Sequence, residues 1–536
     1  NIAGLYMAMG DFEKAEPLLI ESKAIRKKIL GREHPDYAAS LNNLANLYWE
    51  MGNYEKAESL YLESKAIREK VIGKEHPDYA STVENLGLLY WWGMSNFEKA
   101  EPLYLEAKTI YEKVLGEEHP YYAATLFRLA NLYSEMKKDE KAEPLYLESK
   151  AIREKTLGKE HPEYAESVAN LAFFYWKTGN YEKAEPLYLE AKTIREKILG
   201  REHPDYGPNL NNLALLYWTI QKFDAAESFL SELQELDKLQ ILKATRHLSE
   251  QEISFYVAKF ANGLNKIFSF AQIRHDVAPT CYNNTLFYKG FLLNTSSQIN
   301  RIALYNPETA ENYNLLKSLH QHLAAEYAKP IADRKNVAEL EEKSNSLEKE
   351  LTRTVAGYGE ALRQVNWQEV QAALKPGEAA IEFIRFHFYN PNPTDGILYA
   401  ALLVGPGMGS PMFITLFEEK QLAALLAPLA EQGSSGLNEL YGGQAGQSLH
   451  RLLWSQLEPH LAEIKTVYYS PSGLLHRLNL GAIPVAEGKI LADRHELVCL
   501  GSTRQLVTAP AFVSSAGKPP TAIIFGGIQF DMDSTA

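Results

Sequence analysis

Cysteine is nearly absent. Cys281 and Cys499 are the only two in 536 residues, which excludes a disulfide framework or a cysteine-rich zinc module and fits a reducing cytoplasm. No apolar run reaches the ~18 residues that a membrane helix needs, and no signal-peptide pattern opens the chain. Basic charge is in deficit: 55 Lys+Arg stand against 68 Asp+Glu, a net charge of -13. With no basic-aromatic array either, this argues against direct nucleic-acid binding. There is no G-x-S-x-G elbow. The one glycine-rich loop, GPGMGS, lacks a following Lys-Ser/Thr pair and reads as a hairpin connection between two strands. What remains is a chain long enough for two or three domains.

The first part is one unit written repeatedly. HPDY or a variant begins at His34, His76, His119, His161 and His203, at spacings of 42, 43, 42 and 42. Each is followed by an LNNLANLY-like helix, a turn, a YEKAEPLYLEAK-like helix and LG. Two helices per unit at this period mean a solenoid. Ala15, Ala57, Ala100, Ala142, Ala184 and Ala226 fall where helices must approach closely. A second small column holds Ser22, Ser64, Ala107, Ser149 and Ala191. Tyr6, Tyr48, Tyr90, Tyr133, Tyr175 and Tyr217 are the facing knobs. Gly10, Gly52 and Gly179 end the first helix of their units, with Ser95, Lys137 and Gln221 at that place in the others. The extra residue of the longer unit lies in WWGMSNF. Each repeated histidine sits in a separate repeat and precedes a proline suited to a first helical turn. This favours helix-start punctuation over a metal site, and no metal or cofactor is implied.

The small-residue columns, tyrosines and 42-residue period resemble the tetratricopeptide repeat (TPR), in the long-helix form of kinesin light chains. The resemblance covers residues 1–240, about five and two-thirds repeats. Asn1 aligns with Asn43, so the protein is expected to begin upstream. In this family the first helices line a concave groove. Asn43, Asn85, Asn170 and Asn212, with Arg128 breaking the series, resemble a ladder that clamps an extended peptide. A carboxamide both donates and accepts, which matches a peptide group without reading its side chain. The competing reading is that each Asn only bonds the neighbouring repeat.

Residues 241–365 read as a helical bridge. ISFYVAKFANGLNKIFSFA is an apolar amphipathic stretch suited to capping an open solenoid end, and KNVAELEEKSNSLEKEL is a charged, exposed helix. Cys281 lies in a loop-like context. From residue 366 strands alternate with helices: the QEVQAAL helix, strands in EAAIEFIRFHFY, ILYAALLV and PMFITLF, two helical stretches, KTVYYS, the turn PSGLLHRL and finally TAIIFGG. Ser470, Ser472 and His476 cluster in sequence, but the Pro471–Gly473 turn accounts for them.

The order of these pieces, with YYSPSGLLHRLNLGAIP, resembles the first half of a CHAT domain, a caspase-like module found beside TPR arrays; Asn479 stands where proline is commoner. The expected fold class is therefore α + α/β: a TPR solenoid, a helical bridge and, over 366–536, the N-terminal half of a caspase-like domain. The resemblance implies a bacterial cysteine peptidase held inactive until the repeats engage a protein or peptide, within a regulatory effector complex. In the family the catalytic His and Cys follow the strand matched by AIIFGG, so no catalytic residue is assigned within this chain. The alternative is a non-enzymatic TPR scaffold with a structural α/β part.

Overall fold

A computed structural model describes residues 2–8, 12–244, 256–290, 307–327, 335–354, 364–432, 440–486 and 488–508. Asn1, Gly10 and the AIIFGG segment lie outside them. The chain divides into two compact units, Asn1–Leu216 and Tyr217–Ala536.

The first unit is helical throughout. After α1 (Ile2–Ala8) come α2 (Phe12–Leu30), α3 (Pro35–Glu50), α4 (Tyr54–Val71) and α5 (Pro77–Leu88). Then follow α6 (Phe97–Leu115), α7 (Pro120–Glu135), α8 (Asp139–Leu157), α9 (Pro162–Lys177) and α10 (Tyr181–Leu199). α11 (Gly207–Thr219) runs into the second unit. From α1 to α10 each helix packs on the next in sequence. Ala15, Ala57, Ala100, Ala142 and Ala184 have no exposed surface at all, so these positions have no room for a larger side chain.

The repeated histidines start the first helices in a way their spacing did not reveal. His34, His76, His119, His161 and His203 are each an N-cap, with Nδ1 accepting the backbone N–H two residues on at 3.1–3.2 Å. Proline occupies the first helical position, where its missing N–H leaves nothing unsatisfied. At the other end, Gly52 and Gly179 take φ of 72° and 79°, as a left-handed cap requires. Ser95, Lys137 and Gln221 adopt the same conformation at φ of 50°, 57° and 59° without glycine's freedom.

Hydrogen bonds tie the units at fixed offsets. Tyr48, Tyr90, Tyr133 and Tyr175 donate to Glu16, Glu58, Glu101 and Glu143, each 32 residues back. Tyr37, Tyr122 and Tyr164 donate to glutamates 26 residues ahead, while Tyr79 reaches Glu106 at 27. That one-residue difference is the insertion. It is absorbed in a π-helical turn, Leu89–Gly93, so the bonding pattern resumes unchanged. Gly93 fits because a Cβ there would lie 2.8 Å from the Tyr54 ring.

In the second unit α12 (Phe223–Ala244) is followed by α13 (Ala261–Phe270) and a helix, α14, over residues 278–290. α15 (Pro307–Tyr327) packs with α16 (Val337–Thr354), the charged helix expected from sequence. α17 (Trp367–Ala373), opened by an Asn366/Glu369 capping box, leads into the sheet. Five strands lie in the order β3-β2-β1-β4-β7: β1 (Glu378–Tyr389), β2 (Pro393–Val404), β3 (Met412–Glu418), β4 (Thr466–Ser470) and β7 (Glu496–Cys499). β3, β2 and β1 are antiparallel; β1, β4 and β7 run parallel. β5 (Pro484–Ala486) and β6 (Lys489–Ile490) form a separate ribbon. Ala379 to Ile384 are buried without alternation, the pattern of a strand covered on both faces. Ile381 and Phe383 join the core with Leu449, Leu453 and Trp454 of the helical segment before β4. On the opposite side Phe386 meets Phe268 of α13 at 5.7 Å. The PSGLLHRL segment is a 3-10 turn, Gly473–Arg477, and Gly473 has φ 53° with Tyr399 and Arg385 closing over it.

Ala57→Leu and Ala184→Leu are each expected to cost about 1–3 kcal/mol through overpacking. Thermal unfolding checks this, and two unchanged midpoints would contradict the assigned register.

Candidate functional sites

The asparagine row runs along the first helices α3, α5, α7, α9 and α11. Asn43 is exposed, and Asn85, Asn170 and Asn212 are partly exposed; none is buried between repeats. Asn170 donates to the Glu166 carbonyl within its own helix at 2.8 Å. Asn212 accepts from neighbouring Asn211 at 3.3 Å. Contacts between repeats fall to the preceding position instead: buried Asn42 donates to Thr82 at 3.0 Å.

Arg128 breaks the row for a local electrostatic reason. The preceding position of the repeat before it holds Glu84, 8% exposed, whose carboxyl burial pushes up, against the opposing effects of Arg128 and a hydrogen bond from Thr125. Arg128 Nε stands 3.5 Å from that carboxylate and Thr125 donates to it at 2.8 Å. A charge buried in one repeat is thus answered by the next.

Beside this pair lies a pocket of about 360 Å³, lined by Trp91, Trp92, Phe127, Arg128, Asn131 and Arg153 among others. Trp92, 67% exposed, is carried by the π turn. Asn43 borders a smaller pocket of about 210 Å³ with Leu18, Arg26 and Ser40. Sequence reasoning missed Trp92, Phe127 and Asn131 as residues lining this pocket. The extra residue in WWGMSNF was the available signal.

The sequence reading also overlooked an arginine column. Arg26, Arg68, Arg153 and Arg195 of the second helices donate to the backbone carbonyls of Asp36, Asp78, Glu163 and Asp205. Each thereby ties a second helix to the first turn of the next unit.

A tetratricopeptide-repeat family model matches residues 1–70, 38–100, 78–155 and 163–238. Residues 1–155 and 163–238 of the chain therefore carry tetratricopeptide repeats. The array is similar to kinesin-light-chain repeats of known structure. It is similar to BtubC (BKLC) from P. vanneervenii, with 29% identity over 37% of this chain and 78% of that one, TM-score 0.34. Two crystal structures of putative kinesin light chain nearly identical TPR-like repeats from Podosopora anserina are also similar. One shows 31% identity over 37% of this chain and 92% of its own, TM-score 0.33. The other shows 28% over 38% and 96%, TM-score 0.35. Among curated proteins nothing matches the chain.

In the second unit polar groups gather at the carboxyl ends of β4 and β7, beside Glu382 in the middle of β1. Ser470 donates to the Gly501 carbonyl at 2.9 Å and receives Lys289 Nζ at 2.9 Å, so its hydroxyl is engaged in structural bonds. Cys281 lies inside α14, not in a loop as its sequence context suggested. It is fully buried, and burial pushes its thiol well up. Cys499 ends β7. Desolvation raises its thiol too, opposed by a Tyr469 hydrogen bond and the Lys289 charge. Burial, then Lys289, hold the His476 imidazole below its ordinary value. Neither thiol is set up as a thiolate nucleophile.

Deeper in the helical part, Asp237 of α12 is 7% exposed, and burial raises its carboxyl to about 7 against the pull of Lys266. Lys266 is lowered, again by burial first.

Two outcomes follow. Arg128→Asn should cost about 1–3 kcal/mol, less than a fully buried pair because Arg128 is 34% exposed, by leaving Glu84 unanswered. Adding Glu84→Gln should recover most of the loss; denaturant titration of both variants reads it. For Asp237 the folded state holds its proton more tightly than the unfolded one, so its effect is harmless below about pH 4 and lowers stability as pH rises towards about 7. Asp237→Asn should raise the thermal midpoint at pH 8 and leave it nearly unchanged at pH 4. A smaller gain at pH 8 than at pH 4 would refute the assignment.

Proposed function

We propose that the TPR array binds an extended peptide segment of a protein partner along its first helices. We further propose that residues 366–536 are the N-terminal half of a CHAT caspase-like domain regulated by that engagement. The observation that carries the first part is the row Asn43, Asn85, Asn170 and Asn212. These carboxamides are at least partly open and recur once per repeat, and the Trp92–Arg128 pocket interrupts them at one point. One carboxamide per repeat supplies a donor and an acceptor to successive peptide groups, while the pocket supplies side-chain selectivity.

The protease reading rests on the order of the motifs from Trp367 through the Gly473 turn. In such an enzyme a histidine takes the proton of a cysteine thiol, and the thiolate attacks the peptide carbonyl. The family's dyad follows the AIIFGG strand, so Cys281, Cys499 and His476 are not given that role here. A bacterial cytoplasmic effector complex is the setting this reading implies. Among the described residues no helix is long and apolar enough to cross a membrane. The scaffold alternative is favoured by one observation: Ser470, Ser502 and Thr503 at the strand ends are all committed to internal hydrogen bonds.

Peptides selected from a random library on the 536-residue chain provide a ligand for the test. Asn43→Ala with Asn85→Ala should weaken them about 5- to 150-fold, two bonds at ~0.5–1.5 kcal/mol each, without loss of helical circular dichroism. Equal affinity would remove the groove reading. A thiol-directed activity probe should not label Cys499 in a His476-dependent manner. Such labelling would place a working site where none is assigned.

A further inference from the structure

The polar groups at the strand ends are organised by one helix, α14, and one charge on it. Lys289 Nζ lies 2.9 Å from Glu382 Oε2 and 2.9 Å from Ser470 Oγ. It also donates to three backbone carbonyls: Phe383 at 2.7 Å, Ser470 at 3.2 Å and Pro471 at 3.2 Å. An ammonium has three protons, and here five oxygens crowd around it, in the manner of a cation in a cup. Glu382, with no exposed surface, is held from its other oxygen by the loop beyond β7. Ser502 Oγ donates at 2.9 Å, Thr503 N at 2.5 Å and Thr503 Oγ1 at 2.8 Å. Tyr282 of α14 meets the same Thr503 hydroxyl at 2.9 Å.

The opposite side of α14 is bonded to the repeat-derived helix. Asn284 Nδ2 donates to Gln234 Oε1 of α12 at 3.3 Å, and both side chains are fully buried. Asn283 accepts from the backbone of Trp367, the start of α17, at 2.8 Å. The Cys281 thiol points to the Ile267 carbonyl of α13 at 3.8 Å. A single rigid helix is therefore fastened to α12 on one side and to β1, β4 and the post-β7 loop on the other.

We propose that α14 is a coupling rod. A displacement of α12 is passed through Asn284 to Lys289, and withdrawal of the ammonium opens the cup and releases residues 501–508. The chemistry makes this close to all-or-none. Pulling the ammonium out leaves a carboxylate without exposed surface answered only by the neutral Ser502 and Thr503 donors, so the carboxylate and the loop bonded to it must move together. The inference deepens the regulatory part of the proposed function and rests on it for its purpose. Its test needs no partner.

Hydrogen exchange on the full chain reads the amide of Thr503, bonded to Glu382, and those of Gly501, Leu506 and Val507, bonded within this loop and its short helix. Lys289→Met should speed exchange over 501–508 on the order of tenfold or more while the amides of residues 35–199 keep theirs. The decisive arm is remote. Gln234→Ala, which touches nothing in 501–508, should speed exchange there too, and should add nothing further in the Lys289→Met background. Additive effects, or no effect of Gln234→Ala, would overturn the coupling and leave only a local brace. Should Lys289→Met fail to fold, Tyr282→Phe serves in its place. It deletes one hydroxyl, and the same non-additivity with Gln234→Ala is expected. If the coupling holds while the asparagine variants bind peptide normally, the groove assignment fails and the rod stands. The reverse pattern separates them in the other direction.

Discussion

A pair of amphipathic helices with an alanine at its crossing cannot bury its own apolar face, and residues 12–216 are built around that insufficiency. Closeness is set where Ala57, Ala100, Ala142 and Ala184 have no exposed surface. Tyrosines on first helices then reach glutamates on second helices in both directions along the stack. The arginine column ties each second helix to the first turn ahead. Each of these bonds has one charged partner, a carboxylate or a guanidinium, and nets about 1.5–3 kcal/mol. Their value is registry: each repeat is told where its neighbour must sit.

The second unit solves a different problem. β1 is covered on both faces, so a polar residue on it has to be satisfied internally. Glu382 is that residue. Its two oxygens draw on a helix from one side and a loop from the other, turning a potential defect into the point where helix, sheet and loop meet. Asp237 in α12 is the contrasting case. Burial raises its carboxyl to about 7 against the weaker pull of Lys266.

How much of this was legible beforehand follows from what leaves a periodic trace. The repeat length, the alanine and tyrosine columns and the caps at Ser95, Lys137 and Gln221 were readable because each recurs at a fixed offset. The strands from Glu378 to Ser470 were readable as apolar runs bounded by turn residues. The helix-capping use of His34 and its equivalents was half-read: the place was right, but an imidazole nitrogen taking a backbone proton is not visible in spacing. Cys281 was misplaced in a loop because the Pro279 and the two asparagines around it suggest a turn. Tertiary burial of Tyr282, Asn284 and Phe287 overrides that local preference. The Lys289–Glu382 contact joins residues 93 positions apart in unrelated segments, and nothing local announces it. The asparagine row was readable but the pocket was not, since Trp92, Phe127 and Arg153 come from three different helical segments.

The π turn at Leu89–Gly93 has a wider meaning for how such an array acquires individuality. Because the additional residue is swallowed within less than two turns, Tyr133 finds Glu101 at the same offset as its counterparts elsewhere. A change at this one pocket is thereby insulated from the scaffold. A bulky indole was presented to the outside at one rung, and no other rung had to be rewritten to keep the ladder standing. A chain assembled from near-identical units can in this way hold one address distinct from all the others.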